Sequence, residues 1–220
     1  MTTRVSAAAR GERGFTLIEL GVVLAIVGIL ARLAVPNLLG MRDTLRARSA
    51  INSFVMLVRS GHSGALQSGK RYFLVTKSTA TQDRAALFFI NTGGPAAVAA
   101  SSLTDVQLDG GAAPPGVTYV ANADFDTTFG FGPATGYPSA YPVPFSGISH
   151  TTSCTFCAAG YGEIYFETDG SLTFSNGTTA MPTWAGALTV SPRQDWSIAR
   201  TDRIYAVTLV GQTGAMRVLH

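Results

Sequence analysis

The chain has 220 residues, of which 46% are hydrophobic and 13% charged, which supplies apolar material for a sizeable core and excludes a disordered or highly charged class. Its formal net charge is +3, and three arginines (Arg4, Arg10, Arg13) against Glu12 leave about +2 of that in the first fourteen residues. A bulk basic surface for nucleic acid is thereby excluded, and contact with a polyanion requires a local patch.

The first element is the most informative. Residues 15–39 read FTLIELGVVLAIVGILARLAVPNLL, with Glu19 and Arg32 as their charged interruptions. As a helix this stretch spans about 37 Å, enough to cross a bilayer with some tilt. The arginines before it favour a cytoplasmic N-terminus. Two features set it apart from a plain anchor or a secretory signal peptide. No small-x-small cleavage site follows the apolar run, and Glu19 in a membrane helix costs a few kcal/mol unless it finds a partner. In a bundle of like helices that carboxylate can meet the free ammonium of a neighbour's new N-terminus, which requires cleavage immediately before Phe15. Arg32 reads as a side chain snorkelling toward a headgroup, or as the partner of a carboxylate on another subunit. Pro36 lacks an N–H and predicts a kink or local unwinding.

Beyond Pro36 the helix is expected to continue over residues 40–66. Leu38, Met41, Leu45, Ile51, Phe54, Val55 and Val58 recur at three- and four-residue steps, with Arg42, Asp43, Arg46, Arg48 and Arg59 between them, as in a helix lying on a core. Glycines at 61, 64 and 69 predict its end near residues 61–64, or by Gly69. Residues 67–220 then read as a β-rich head, with strands expected at 71–77, 84–91, 117–121, 162–168, 171–174, 187–191, 204–211 and 216–219. Asp169-Gly170 predicts a hairpin turn. No strand–helix alternation is present, so the expected class is α+β, a long N-terminal, partly transmembrane helix packed on an antiparallel sheet. Residues 92–116 and 129–160, rich in Gly, Pro, Ala and Ser, read as long surface loops.

Several short motifs invite a chemical reading and fail on context. Gly64 to Lys70 fits seven positions of a phosphate-binding loop, but the eighth is Arg71 and the order is helix then strand, the reverse of what such a loop needs. Residues 61–65 have the outline of a nucleophile elbow but sit at a helix C-terminus, where His62 suits the helix dipole. Cys154 and Cys157 form one Cys-x-x-Cys; with His150 as a third ligand a zinc site still lacks a fourth. Outside the cytoplasm a local disulfide is the expected state, stiffening its loop and adding little chain entropy. Asp124 and Asp126 have no companions in calcium-loop spacing. No metal, cofactor or catalytic set is expected.

Gly14-Phe15-Thr16-Leu17-Ile18-Glu19 resembles the class III signal of type IV prepilins and type II secretion pseudopilins. That resemblance implies a leader of residues 1–14, cleavage between Gly14 and Phe15 by a prepilin peptidase, N-methylation of Phe15, and an assembly helix over 15–39 in which Glu19 aligns subunits and Pro36 matches a proline of the family. It implies the pilin-like fold, a single-pass place in the bacterial inner membrane with the head periplasmic, and other pilin or pseudopilin subunits as partners. Residues 48–77 and the closing segments GEIYFETDGSLTF and IYAVTLVGQTGAMRVLH are most similar to the GspH/FimT minor subunits. Some members of that branch tied to DNA uptake carry Gly-Arg-x-Arg near the C-terminus. Here Gly214-Ala215-Met216-Arg217 keeps the second arginine only, with Arg193, Arg200 and Arg203 as candidate additional phosphate contacts.

Overall fold

The computed structural model describes residues 16–79, 82–95, 97–125, 128–132, 136–176, 180–181, 184–193, 196 and 203–220. The chain forms two compact units, Met1–Arg42 and Asp43–His220. Helix α1 (Leu17–Ser68) contributes to both.

In the first unit, the side chains of α1 from Leu17 to Arg32 are all exposed, Leu17 at 90% and Ile18 at 78%. Helix assignment runs without a break through Pro36, so the proline does not end the element. Among the described residues no helix is long and apolar enough to cross a membrane.

In the second unit, α1 buries one stripe (Ala47, Ile51, Phe54, Val55, Val58 and Ala65). Gly61 and Gly64, expected to stop the helix, lie inside it. A Cβ at Gly61 would stand 2.5 Å from the Phe166 ring, and one at Gly64 would stand 2.7 Å from Tyr72. Here glycine permits close approach of helix to sheet. The stop comes at Gly69, whose φ of +64° is the left-handed conformation that closes a helix and whose N–H donates to Ala65 O at 3.1 Å.

The expected single sheet is two. Among the described residues, β1 (Tyr72–Ser78), β2 (Asp83–Ile90), β3 (Val117–Asp124), β5 (Cys157–Ala158), β6 (Tyr161–Phe166), β7 (Leu172–Ser175) and β8 (Ala180–Met181) form the first, in the order β3-β2-β1-β6-β7-β8 with β5 on β6. The second has the order β11-β10-β9-β4, built from β4 (Phe129–Gly130), β9 (Ala185–Pro192), β10 (Tyr205–Val210) and β11 (Met216–Leu219). All the pairings are antiparallel, as expected. The β6–β7 turn falls at Asp169-Gly170, with Gly170 at φ +86°.

Alternation along the strands assigns the faces. Leu74, Leu87 and Ile164 of the first sheet and Leu188, Val190, Val207 and Leu209 of the second join the α1 stripe in the main core. The opposite faces are apolar as well. Phe73, Val75, Phe88 and Tyr165 are covered by Val98, Leu103 and Leu108. On the second sheet Ala185, Ala187 and Ala206 are covered by Tyr141, Phe145 and Ile148. Both segments expected as surface loops are therefore covering layers, each closing the outer face of one sheet. The first contains a 3-10 turn (Ala100–Ser102) and the short helix α2 (Asp105–Leu108), capped reciprocally by Thr104 and Gln107. Ion pairs fasten α2 to the sheet: Lys77 to Asp105 at 2.6 Å, and Arg84 to Asp105 at 3.4 Å and to Asp109 at 2.8 Å.

Candidate functional site

The cleavage and methylation positions, Gly14 and Phe15, lie outside the described residues. Glu19 is exposed in the first turn of α1. Its N–H donates to Thr16 Oγ1 at 3.3 Å, and the Thr16 hydroxyl lies 3.5 Å from Glu19 Oε2. Thr16 thus acts as the helix N-cap with an acid three residues on, at the end where the helix dipole favours negative charge. That local role of Glu19 was legible as a Thr-x-x-Glu spacing and lay concealed within the cleavage motif. Arg32 is exposed and pairs with no carboxylate among the described residues.

Cys154 and Cys157 are joined in a disulfide, with Cα atoms 5.4 Å apart. His150, the candidate third zinc ligand, instead places Nδ1 3.2 Å from Tyr137 O. Among the described residues no group of three His, Cys, Asp or Glu side chains could hold a metal. Asp124 is in β3, and Asp126 lies outside the described residues.

The candidate DNA contacts need correction. Arg193 is not a free surface cation: its guanidinium Nη2 is 2.9 Å from Oδ1 of the fully buried Asp83, donates to Thr79 O at 3.2 Å, and the group lies 5.0 Å from the Trp196 ring. Asp83 also accepts from the N–H groups of Thr79 (3.1 Å) and Phe131 (2.5 Å). A buried charge needs this degree of compensation, so Arg193 is committed to tying β2 to the ends of β4 and β9. Arg203 is half-buried, Arg217 is exposed on β11, and Arg200 lies outside the described residues. Gly214 has a structural reason of its own, with φ +65° and space for a Cβ only 2.4 Å from His62 Nε2. His62 does not serve the end of its own helix. Its Nε2 lies 3.0 Å from Gly170 O, which places the ring between the β6–β7 and β10–β11 turns.

The phosphate-loop-like stretch is likewise used in packing. The Lys70 ammonium sits 4.4 Å over the Phe89 ring, and Arg71 pairs with Glu167 at 2.5 Å. A groove of about 710 Å³ between residues 45–60 of α1 and Ala121 and Asn122 of β3 is lined by no carboxylate, histidine or cysteine. Besides Asp83, a second buried carboxylate escaped the sequence reading: Glu163, 2% exposed under the first covering segment, accepts from the Ala100 N–H. Tyr165 beside it exchanges hydrogen bonds with Val98 (3.3 Å from Val98 N–H, 3.2 Å to Val98 O). Burial, and then the neighbouring Glu163, hold its phenol well above the ordinary tyrosine range.

The comparisons with known proteins fall on the N-terminal segment. Residues 9–31 match the prokaryotic N-terminal methylation motif. In this segment the chain is similar to type IV prepilins and type II secretion pseudopilins. Type II secretion system core protein G from Dickeya chrysanthemi is 46% identical over 48 residues, 22% of this chain and 31% of that protein. The protein of the same description from Escherichia coli K12 is 46% identical over 46 residues (21% and 32%), and that from Vibrio cholerae 46% over 48 (22% and 33%). The chain thus spans about a third of the length of the pseudopilins it matches. No solved structure matches.

Proposed function

We propose that the chain is a structural subunit, not an enzyme, of a type II secretion pseudopilus or type IV pilus. A prepilin peptidase cuts it after Gly14 and methylates Phe15. The apolar part of α1 holds it in the inner membrane, N-terminus cytoplasmic and head periplasmic, until other pilin or pseudopilin subunits take it up. Within that class the closing segments favour a GspH/FimT-like minor subunit.

The methylation motif over residues 9–31 carries this reading. The exposed helix supports it. Ten large apolar side chains between Leu17 and Leu30 stand 47–90% exposed, and burying them in lipid or among like helices yields on the order of 10 kcal/mol. Glu19 and Arg32 both place a charge within the apolar stretch. Each must be compensated, Glu19 by a neighbour's terminal ammonium and Arg32 by headgroups or a partner carboxylate.

The test is the intact mass and first residue of the protein produced beside a prepilin peptidase. A chain beginning at N-methyl-Phe15 is expected. One that retains Met1, or is cut elsewhere, overturns the assignment.

A further inference from the structure

The Cys154–Cys157 disulfide sits where the two sheets of the head meet. At one end of the four-residue turn, Cys154 bridges to Leu188 of β9 in the second sheet. Around it Thr155 N–H donates to Ala187 O at 3.0 Å and Thr189 N–H donates to Ser153 O at 2.7 Å. Ala187 N–H returns a bond to Thr155 Oγ1 at 2.9 Å. At the other end, Cys157 belongs to β5 and pairs with Gly162 of β6 in the first sheet. Between them Phe156 is fully buried in the main core, its ring 5.5 Å from that of Phe174. The turn has little room to relax, since a Cβ at Gly162 would stand 2.6 Å from Cys157 Sγ.

The backbone already links these two ends, so the disulfide adds no long-range cross-link. It fixes the angle of a turn whose two ends belong to different sheets and whose middle residue points into the core. We infer that the Cys154–Cys157 disulfide is a redox latch, which keeps Phe156 wedged between the sheets and so holds the second sheet to the first. Both cysteines are half-buried rather than sealed, so the bond is open to a dithiol. In that exchange one thiolate of the dithiol attacks a sulfur of the pair to form a mixed disulfide, and its second thiolate then displaces the remaining cysteine. The dithiol leaves oxidised as its own disulfide, and two protons end on the Cys154 and Cys157 thiols. The reduced turn can swing, Phe156 loses its fixed direction, and the bonds to β9 loosen. This inference concerns the head alone and stands whether or not the chain is processed at Gly14.

The test is residue-resolved hydrogen exchange on the full chain in detergent micelles, oxidised and after treatment with dithiothreitol. The amides of Thr155, Ala187 and Thr189 are expected to exchange about tenfold faster on reduction, while those of Leu74 and Leu87 in β1 and β2 stay unchanged. Unchanged exchange at all five sites overturns the latch. So does equal acceleration at all five, because the disulfide would then be a global stabiliser. The Cys154→Ser/Cys157→Ser double variant should reproduce the reduced pattern without reductant. If that variant does not fold, reduction of the native chain decides.

Discussion

Asp83 and Arg193 meet at 2.9 Å, and the carboxylate is wholly buried while the guanidinium remains 14% exposed. They lie more than a hundred residues apart in sequence, Asp83 at the start of β2 in the first sheet and Arg193 just past the end of β9 in the second. The pair neutralises the one aspartate with no solvent contact among the described residues, and it removes Arg193 from any exposed phosphate site.

Removing either partner leaves a buried charge or an emptied cradle, which costs about 3–5 kcal/mol. Asp83→Ala is therefore expected to lower the denaturant midpoint more than any surface aspartate change, with Asp169→Ala as the exposed control. Asp83→Asn keeps one acceptor oxygen, for either the Thr79 or the Phe131 amide but not both, so it should also destabilise. Equal, small effects for Asp83→Ala and Asp169→Ala in urea unfolding would contradict the structural role.

Gly61 gives a prediction of sign. In an exposed helix, Gly→Ala stabilises by about 1 kcal/mol. At Gly61 the new methyl would meet the Phe166 ring at 2.5 Å and Leu87 at 2.9 Å, and overpacking of this kind costs about 1–3 kcal/mol. Gly61→Ala should lower the melting temperature. Gly214→Ala should do so as well, through its positive φ and its contact with His62. A raised melting temperature for Gly61→Ala would mean that helix and sheet approach less closely than described.

What could be read from the sequence follows from periodicity. The α1 stripe and strands β1, β2, β6, β7, β10 and β11 carry it and were expected close to where they lie. β9 was expected over 187–191, inside its observed range, whereas β4, β5 and β8 have two residues each, too few for any pattern. The covering segments looked like loops because their anchors (Val98, Leu103 and Leu108; Tyr141, Phe145 and Ile148) are isolated apolar residues in Gly- and Pro-rich stretches. Their partners are on strands far away in sequence. Gly61 and Gly64 misled because glycine marks both helix ends and close packing. Asp83 was overlooked because nothing local distinguishes a buried acid at the start of a strand from a turn residue.

Acid should release the first covering segment before it unfolds the sheets. The hydrogen bond from Lys77, aided by the charges of Lys77 and Arg84, holds the Asp105 carboxyl below its ordinary value of 3.8. A depressed carboxylate pKa contributes stability that is fully present above the unfolded value and is lost as pH falls through the folded one. Between pH 5 and 8 the fastening is therefore constant, and it weakens only below about pH 4. Asp105 is half-exposed, so solvent screening keeps the effect modest. Carboxyl chemical shifts followed by NMR should show Asp105 titrating low in the native chain and returning to the ordinary range in Lys77→Met. An Asp105 titration identical in the two proteins would exclude the Lys77 contact.

Alkali acts on the other covering segment. Burial, with the neighbouring Tyr137 adding to it, pushes the Tyr141 phenol up to about 12, and its hydroxyl is buried with no hydrogen-bond partner among the described residues. For an acid whose folded pKa is raised, the associated stability is complete below the unfolded value near 10 and is lost as pH rises through the folded one. Ultraviolet titration of the native chain should show a tyrosine ionising near pH 12 that is missing in Tyr141→Phe. That variant removes an unpaired buried hydroxyl while keeping the ring against Tyr137, so its stability at neutral pH should be unchanged or slightly raised. A clear loss of stability in Tyr141→Phe would show that the hydroxyl has a partner and that the segment over Ala185, Ala187 and Ala206 is held by more than apolar contact.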